Sequence, residues 1–296
     1  MGIKMDFLAN VPENKQVLLR ELVSELAHMP CLAAVVLGGS YASGTQREGS
    51  DMDVGLYYLA EAPFDIAGIK KVAQNIAVQP PTVTGFYEWG QWVNGGAWIQ
   101  TKAGKVDFLY RNIHQVEQAI EHAIRGIVEH DYGQQPTHGF YSIIYLAETD
   151  ICIPLYDPRQ HIARLKQLVK TYPPKLKEKV VANALWSAEF TLAHASTFAN
   201  YGDVYNTAGC LARISSNLTQ ALFALNERYF ISDKRVMEVT ANFAILPSGY
   251  IRQITEILAH PGASVEELIH SVAHMRAVWQ SVVTCSREDY QPKFNL

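Results

Sequence analysis

The chain has 296 residues, of which 48% are hydrophobic and 18% are charged, a composition typical of a globular protein and not of a disordered one. Its 25 basic and 29 acidic side chains give a formal charge of −4, which argues against a broad basic surface for long nucleic acid. We therefore expect a small substrate rather than DNA or tRNA.

Cysteine usage and hydropathy bear on the location of the protein. Cys31, Cys152, Cys210 and Cys285 are scattered without a closely spaced pair, which predicts reduced thiols. Residues 1–10 lack the apolar core of a signal peptide, and no apolar run approaches the length of a membrane span. The sequence therefore predicts a cytoplasmic protein that does not insert into a membrane.

The chain begins with alternating helix and strand signals. Pro12 predicts a helix start, and apolar residues then recur at helical spacing until Pro30. Two apolar runs, residues 33–37 and 54–59, predict buried strands. Residues 65–75 predict a second helix, so one helix is predicted before these two strands in the sequence and another after them.

The next stretch is aromatic and β-branched. Residues 83–110 predict three short strands, with turns at residues 94–96 and 103–104. Residues 112–125 predict another helix, and we place the end of the first domain at residue 150. This first domain, residues 1–150, is therefore predicted to be a mixed sheet with flanking helices.

Helical periodicity dominates the remainder of the chain. Residues 175–198 and 203–230 predict two long helices, with Asp203 as the cap of the second. Three more helices are predicted to start at Asp233, Pro247 and Ser264. Short loops between helices predict an antiparallel bundle over residues 151–296, and the fold class is therefore α+β.

The first chemical signal lies where the first strand ends. The run finishes in Gly38-Gly39-Ser40, where the backbone must turn sharply and come close to something. After a spacer of ten residues, Asp51 and Asp53 stand at the start of the second strand. Strand residues i and i+2 share a face, so both carboxylates point the same way. A divalent cation such as Mg²⁺ would relieve their repulsion, and the Gly-Ser turn suits phosphate oxygens.

This pattern resembles the signature of the nucleotidyltransferase superfamily, which includes DNA polymerase beta and the antibiotic nucleotidyltransferases. The signature is Gly39-Ser40, a spacer, and Asp51-x-Asp53 followed by apolar residues, and the resemblance covers residues 30–112. It implies a third carboxylate on a later strand, where Asp107 stands. It also implies two Mg²⁺ ions held by the three aspartates, with ATP or another nucleoside triphosphate as co-substrate.

The resemblance also points to nucleotide-binding residues. Gly39, Ser40 and Ser50 are expected to contact the nucleotide. Many antibiotic-modifying members carry a basic residue shortly after Gly-Ser, but this chain has Ser43 there, which leaves Arg47 as a weaker candidate. Lys234 in the helical half is another, although a solvated lysine is the simpler interpretation.

The helical half offers one candidate for a general base. Glu189 lies on an apolar helical face, where an unpaired carboxylate would be costly to bury. Some antibiotic nucleotidyltransferases are similar in placing the base on their helical domain, while a salt-bridged or partly exposed glutamate is the alternative. His270 and His274 have zinc-ligand spacing without a third ligand nearby, which favours a surface face.

The resemblance implies transfer of a nucleoside monophosphate, AMP from ATP, to a hydroxyl of a small acceptor with release of pyrophosphate. We expect the acceptor between the two domains. Two alternatives stay open: nucleotidylation of a protein or RNA end, as in antitoxin-like members, and a non-catalytic nucleotide sensor. The aromatic residues from Tyr87 to Trp98 fit either a substrate pocket or the core. Acceptor, base preference, any role in antibiotic resistance and oligomeric state are not readable from the sequence.

Overall fold

The structure, a computed structural model, describes residues 11–294. The prediction that no signal peptide begins the chain concerns residues 1–10, which lie outside the described residues. The chain divides into two compact units. Unit 1 comprises the described residues up to Glu121, with His130–Gln135 and Gly139–Thr171. Unit 2 comprises His122–Glu129, Pro136–His138 and the described residues from Tyr172 onward.

The strands all belong to unit 1. They are β1 (Leu32–Leu37), β2 (Met52–Tyr58), β3 (Thr82–Val83), β4 (Gly96–Thr101), β5 (Gly104–Asn112), β6 (His130–Asp131), β7 (Phe140–Tyr141) and β8 (Ile153–Tyr156). Six of them form one sheet in the order β3-β4-β5-β2-β1-β8, and β6 pairs with β7 separately. Only β2 and β5 run parallel to each other among these pairs; the others are antiparallel.

Two helices cover the apolar face of this sheet. The first six helices are α1 (Glu13–Leu26), α2 (Gly39–Ser43), α3 (Ile66–Ile76), α4 (Ile113–Ile124), α5 (Ile144–Ile151) and α6 (His161–Val169). Apolar residues of α1 and α3 pack against apolar residues of β1, β2, β4 and β5 in one core. Burial of this surface is the main stabilising term for unit 1.

The opposite face of the sheet is polar where β2 and β5 begin. Along β5 the buried residues Val106 and Phe108 alternate with Lys105 and Asp107, which are partly exposed. Alternation of this kind is the signature of a strand with one face in the core and the other face open. Lys105 and Asp107 therefore lie on the face of the sheet opposite its apolar core.

Unit 2 is helical. Its main helices are α7 (Pro174–Asn200), α8 (Val204–Leu225), α9 (Val236–Thr240), α10 (Tyr250–Ala259) and α11 (Val265–Ser286). The short connection 201–203 makes α7 and α8 antiparallel neighbours, and the indole of Trp279 on α11 donates to the Leu185 carbonyl on α7 at 3.2 Å. Asp203 caps α8 through the Asn206 N–H, and Ser264 and Glu267 form a capping box at the start of α11.

The predicted fold class, α+β with a sheet first and helices after it, is confirmed. The boundary placed at residue 150 falls inside α5, and β8 beyond it pairs with β1 in the unit 1 sheet. The chain leaves unit 1 for the last time after Thr171. Within residues 11–294, no helix combines the length and the apolar character needed to cross a lipid bilayer.

Candidate functional site

Strand register brings the three predicted acids onto one face of the unit 1 sheet. Asp53 on β2 lies directly beside Asp107 on the parallel strand β5. Asp51 precedes Asp53 by two residues and therefore belongs to the same face. Pairing of β2 with β5 thus brings two acids that are two residues apart in sequence next to a third acid from a later strand.

A lysine lies among these acids. Lys105 Nζ is 2.9 Å from Asp51 Oδ2 and 3.0 Å from Asp107 Oδ2, so one ammonium group bridges two strands. Partial burial acts to lower the pKa of Lys105, but the two carboxylates outweigh it and raise that pKa above its ordinary value. The lysine stays charged and offsets part of the negative charge of the acids.

Sequence reasoning missed this lysine although a signal was present. Lys105 precedes Asp107 by two residues, the same spacing that placed Asp51 and Asp53 on one face. Applying the rule to β5 as well as to β2 would have predicted a cation beside the carboxylates.

The arrangement bears on the predicted magnesium position. Among residues 11–294, no group of three or more His, Cys, Asp or Glu side chains is placed to hold a metal ion. The cation between Asp51 and Asp107 is instead the Lys105 ammonium. The carboxylate oxygens of Asp51 and Asp107 are nevertheless of the kind that Mg²⁺ prefers. The position of the ammonium shows that one cation can contact both carboxylates at once.

The Gly-Ser turn is fitted closely to Asp53. The Gly38 N–H donates to the Asp53 carbonyl oxygen at 2.8 Å, which ties the end of β1 to β2. Gly39 has φ +58°, and a Cβ at this position would lie 1.8 Å from Asp53 Oδ2. Only glycine leaves room for the carboxylate here, and Ser40 follows directly in α2. The sharp turn and close approach predicted at this point are therefore present.

The spacer between the turn and the acids is a tight loop. The Ser50 hydroxyl accepts from the Arg47 N–H at 2.8 Å, and the Ser50 N–H donates to the Arg47 carbonyl at 3.0 Å. The Arg47 side chain is exposed. Ser50, predicted as a nucleotide contact, thus uses its hydroxyl to close this loop in the structure.

A second lysine fixes the peptide just before Asp51. Lys15 on α1 is only 8% exposed, and its Nζ donates to the Ser50 carbonyl at 2.7 Å. The same ammonium lies 4.6 Å from the centre of the Tyr41 ring, close enough for a cation–π contact. Because Lys15 sits on a helix far away in sequence, no local pattern could have revealed it.

The aromatic residues near the site divide into two kinds. Trp92 is 8% exposed and stacks on Phe140 with ring centres 5.6 Å apart, so it belongs to the core. Trp98 on β4 is 50% exposed and stacks on Trp89 at 4.9 Å, with a 21° angle between the rings. Trp98 also pairs directly with Asp107 across β4 and β5 and therefore lies on the face that carries the acids.

A buried ion pair supports β5 beyond the acids. Arg111 is 4% exposed, and its guanidinium donates two hydrogen bonds of 2.7 Å to the Glu148 carboxylate on α5. Burial acts to lower the pKa of Arg111, but Glu148 holds that pKa above its ordinary value. Arg111 also donates to the Val93 carbonyl at 3.1 Å. The pair joins β5, α5 and the loop that carries Trp89.

The two candidates from the helical half lie in unit 2. Glu189 is fully buried, accepts from the Tyr290 hydroxyl, and accepts from the N–H groups of Lys293 at 2.8 Å and Phe294 at 2.7 Å. These donors satisfy the buried charge and fix the last described residues to α7. Lys234 is exposed.

The histidine pair on α11 belongs to a surface. His270 and His274 are exposed and their ring centres are 4.0 Å apart. Neither histidine belongs to a metal-binding group in the part of the chain that the structure describes.

Comparisons with known proteins address both halves of the chain. Residues 18–114 match the family described as a nucleotidyltransferase domain, and residues 146–234 match a domain of unknown function, DUF4037. Among solved structures, the chain is similar to a nucleotidyltransferase-like protein from Exiguobacterium sibiricum 255-15, at 8% sequence identity and a TM-score of 0.45. That match covers 93% of this chain and 78% of the other. No curated protein matches the chain.

Proposed function

We propose that the chain transfers a nucleoside monophosphate to a hydroxyl of a small acceptor, because residues 18–114 match the nucleotidyltransferase domain. The proposed donor is ATP, and pyrophosphate is the second product. The observation that carries the proposal is the pairing of Asp53 with Asp107, with Asp51 on the same face and Gly39 against the Asp53 carboxylate.

The acids are the proposed ligands of magnesium. Asp51, Asp53 and Asp107 would hold two Mg²⁺ ions, whose charge, when they are bound, favours the deprotonated acceptor and the leaving pyrophosphate. Taking up an ion requires Lys105 to release at least one of its two carboxylate partners. The partial exposure of the Lys105 side chain, 39%, leaves it room to move.

We assign phosphate binding to the turn and to this lysine. The N–H groups at the start of α2, at Gly39 and Ser40, belong to the first turn of a helix, whose amides have no intrahelical acceptor. Lysine binds phosphate as a point charge, so the Lys105 ammonium is expected to turn from the carboxylates to phosphate oxygens. The proposal therefore requires neither Arg47 nor Lys234.

The bonds in the proposed step balance without a further reactant. The acceptor oxygen forms a bond to the α-phosphorus, and the bond between that phosphorus and the bridging oxygen breaks. The electron pair of the broken bond leaves with pyrophosphate. Asp107 takes the proton of the acceptor hydroxyl, and the N–H groups of the Gly39-Ser40 turn hold the phosphate in line, with Asp53 acting through the Mg²⁺ that it would hold. Glu189 has no part in this step, because its carboxylate accepts hydrogen bonds from the Tyr290 hydroxyl and from the N–H groups of Lys293 and Phe294.

The test is loss of activity in Asp53→Asn with an unchanged fold. We expect this variant to release no pyrophosphate from ATP and magnesium with any acceptor, while its melting temperature is unchanged or raised because one of several clustered charges is removed. The assay is a pyrophosphate-release screen of each nucleoside triphosphate against aminoglycosides, lincosamides and other hydroxylated metabolites.

The matched control is Asp150→Asn, which neutralises an exposed acid of the same unit outside the site. It should retain full activity. Wild-type activity in Asp53→Asn would contradict the proposed mechanism, and label from ATP appearing on a protein or RNA instead of a small molecule would change the acceptor class.

A further inference from the structure

An aromatic surface lies beside the acids on the same face of the unit 1 sheet. Trp98 exposes half of its side chain, and its ring is backed by the ring of Trp89. Gly96 makes this stacking possible, because a Cβ there would lie 2.7 Å from the Trp89 ring. We call the two stacked indoles of Trp89 and Trp98 the tryptophan shelf.

The loop that carries Trp89 is firmly held. Asn94 is fully buried with φ +69°, and its side chain donates to the Tyr58 hydroxyl at 2.9 Å and accepts from the Tyr87 N–H at 3.0 Å. The Trp89 N–H donates to the Asn94 carbonyl at 2.8 Å. Since buried, satisfied polar networks fix geometry, the tryptophan shelf is preorganised for a ligand.

The order of strands places this shelf on one particular side of the reaction. Reading β4, β5, β2 and β1 across the sheet gives Trp98, Asp107, Asp53 and then the Gly39 turn. Neighbouring strands are about 4.8 Å apart, so Trp98 lies one strand beyond Asp107 on the side away from the turn.

The geometry of phosphoryl transfer then decides which substrate meets the shelf. The attacking and leaving oxygens lie roughly in line through phosphorus. If pyrophosphate leaves on the side of the Gly39 turn, the attacking hydroxyl arrives from the opposite side, past Asp107. Trp98 lies on that side, so the tryptophan shelf is placed to contact the acceptor and not the leaving pyrophosphate.

We propose that the tryptophan shelf binds the acceptor, and that the acceptor is a ring compound that carries a hydroxyl group and stacks one ring face on Trp98. This inference rests on the proposed function. A flat ring face, either the C–H face of a sugar or the face of an aromatic ring, stacks on the exposed indole of Trp98. Gln100 is exposed on the same face, opposite Lys105, and offers an amide to the polar edge of such a ring.

The kinetic test uses three variants and the acceptors found by pyrophosphate release. Trp98→Ala removes the stacking surface and should raise the KM for the acceptor about tenfold, while the KM for ATP stays unchanged. Trp98→Phe keeps a ring and should restore most of the loss. The control is Trp186→Ala in unit 2, which removes a tryptophan that is 45% exposed and stacked on Phe190 at 5.4 Å. This control should leave both KM values as they are.

A binding test examines the tryptophan shelf without requiring that the protein turn over a substrate. Tryptophan oxidation by N-bromosuccinimide, followed residue by residue with mass spectrometry, measures the accessibility of each indole. Methyl glucoside is the probe for a sugar face, benzyl alcohol is the probe for an aromatic face, and glycerol is the control without a ring. A ring probe should slow oxidation of Trp98 but not of Trp186, and glycerol should slow neither.

The two tests separate the two proposals. Protection of Trp98 by a ring probe, in a protein that releases no pyrophosphate with any acceptor, would support the shelf and overturn the proposed function. Pyrophosphate release with an acceptor KM that is unchanged in Trp98→Ala, or ring probes that leave Trp98 oxidation unchanged, would overturn the shelf.

Discussion

At Gly39 the absence of a side chain decides where a carboxylate can lie. Asp53 Oδ2 occupies the space that any Cβ would need, and the positive φ of Gly39 excludes most other residues independently. Neighbouring Gly38 has no such constraint, because a Cβ there would lie 3.7 Å from the nearest atom, an ordinary contact. Two adjacent glycines therefore have different roles.

We predict that Gly39→Ala removes nucleotide transfer and lowers stability by about 1 kcal/mol, because the methyl group displaces Asp53 and the backbone conformation is strained. Gly38→Ala is the matched control and should keep activity and stability. Pyrophosphate release and urea unfolding measure the two effects. Equal activity in the two variants would show that the position of Asp53 does not matter for transfer.

The residues of the candidate site differ in how far the sequence could reveal them. Asp51 and Asp53 could be placed on one face from spacing alone, because the period of a strand is two. Asp107 was expected beside them only because the family resemblance implies a third carboxylate on a later strand. Lys105 obeys the same rule of strand period. Lys15 obeys none, since a helix of the first thirty residues had to fold onto the sheet before its ammonium could meet the Ser50 carbonyl.

At the level of elements, β5 carries part of the candidate site and also a buried ion pair that supports it. One end of the strand presents Lys105 and Asp107, and the other end is fixed by the pair of Arg111 with Glu148 on α5. Arg111 is almost fully buried, so its charge depends on this single carboxylate for compensation. An exposed pair of the same type, Arg252 with Glu256, is present on α10.

Glu148→Gln should lower the free energy of unfolding by about 3 kcal/mol, because it leaves the Arg111 charge buried without compensation. Glu256→Gln should cost less than about 0.5 kcal/mol, since its pair with Arg252 is in solvent. Urea denaturation of both variants measures the difference. Similar losses in the two would mean that Arg111 does not need Glu148.

Elements differed in how well the sequence predicted them. The starts of the long helices could be predicted because α7 begins at a proline pair and because Asp203 and Ser264 cap α8 and α11. β8 was missed because it has four residues and contains Pro154, which lowers a strand signal. Proline is tolerated there because β8 is the last strand of the sheet. Long-range pairing, rather than local pattern, defines such a strand.

At the scale of the whole molecule, the matched nucleotidyltransferase domain and the three aspartates of the candidate site, Asp51, Asp53 and Asp107, fall in unit 1. Residues 18–114 lie wholly within it, whereas residues 146–234 begin in unit 1 and end in unit 2. Each unit has a core of its own, with Leu37 fully buried in the first and Leu218 fully buried in the second. Two cores in one chain lead us to expect unfolding in more than one step.

Calorimetry of Leu37→Ala and Leu218→Ala tests this expectation. Each truncation should destabilise its own unit by about 3 kcal/mol and lower a different transition. ATP with magnesium should raise the transition that Leu37→Ala lowers, because a ligand stabilises the unit that binds it. A single transition that both variants lower alike would show that the units unfold together.

The Lys105 ammonium joins carboxylates at the start of β2 and on β5. A polypeptide leaving the ribosome must bring like-charged strands side by side before it has met any nucleotide or ion. Here the counter-charge is encoded in the chain and arrives with the strand itself. The sheet can therefore close before any of the proposed ligands is bound, because its own lysine offsets the charge of the acids.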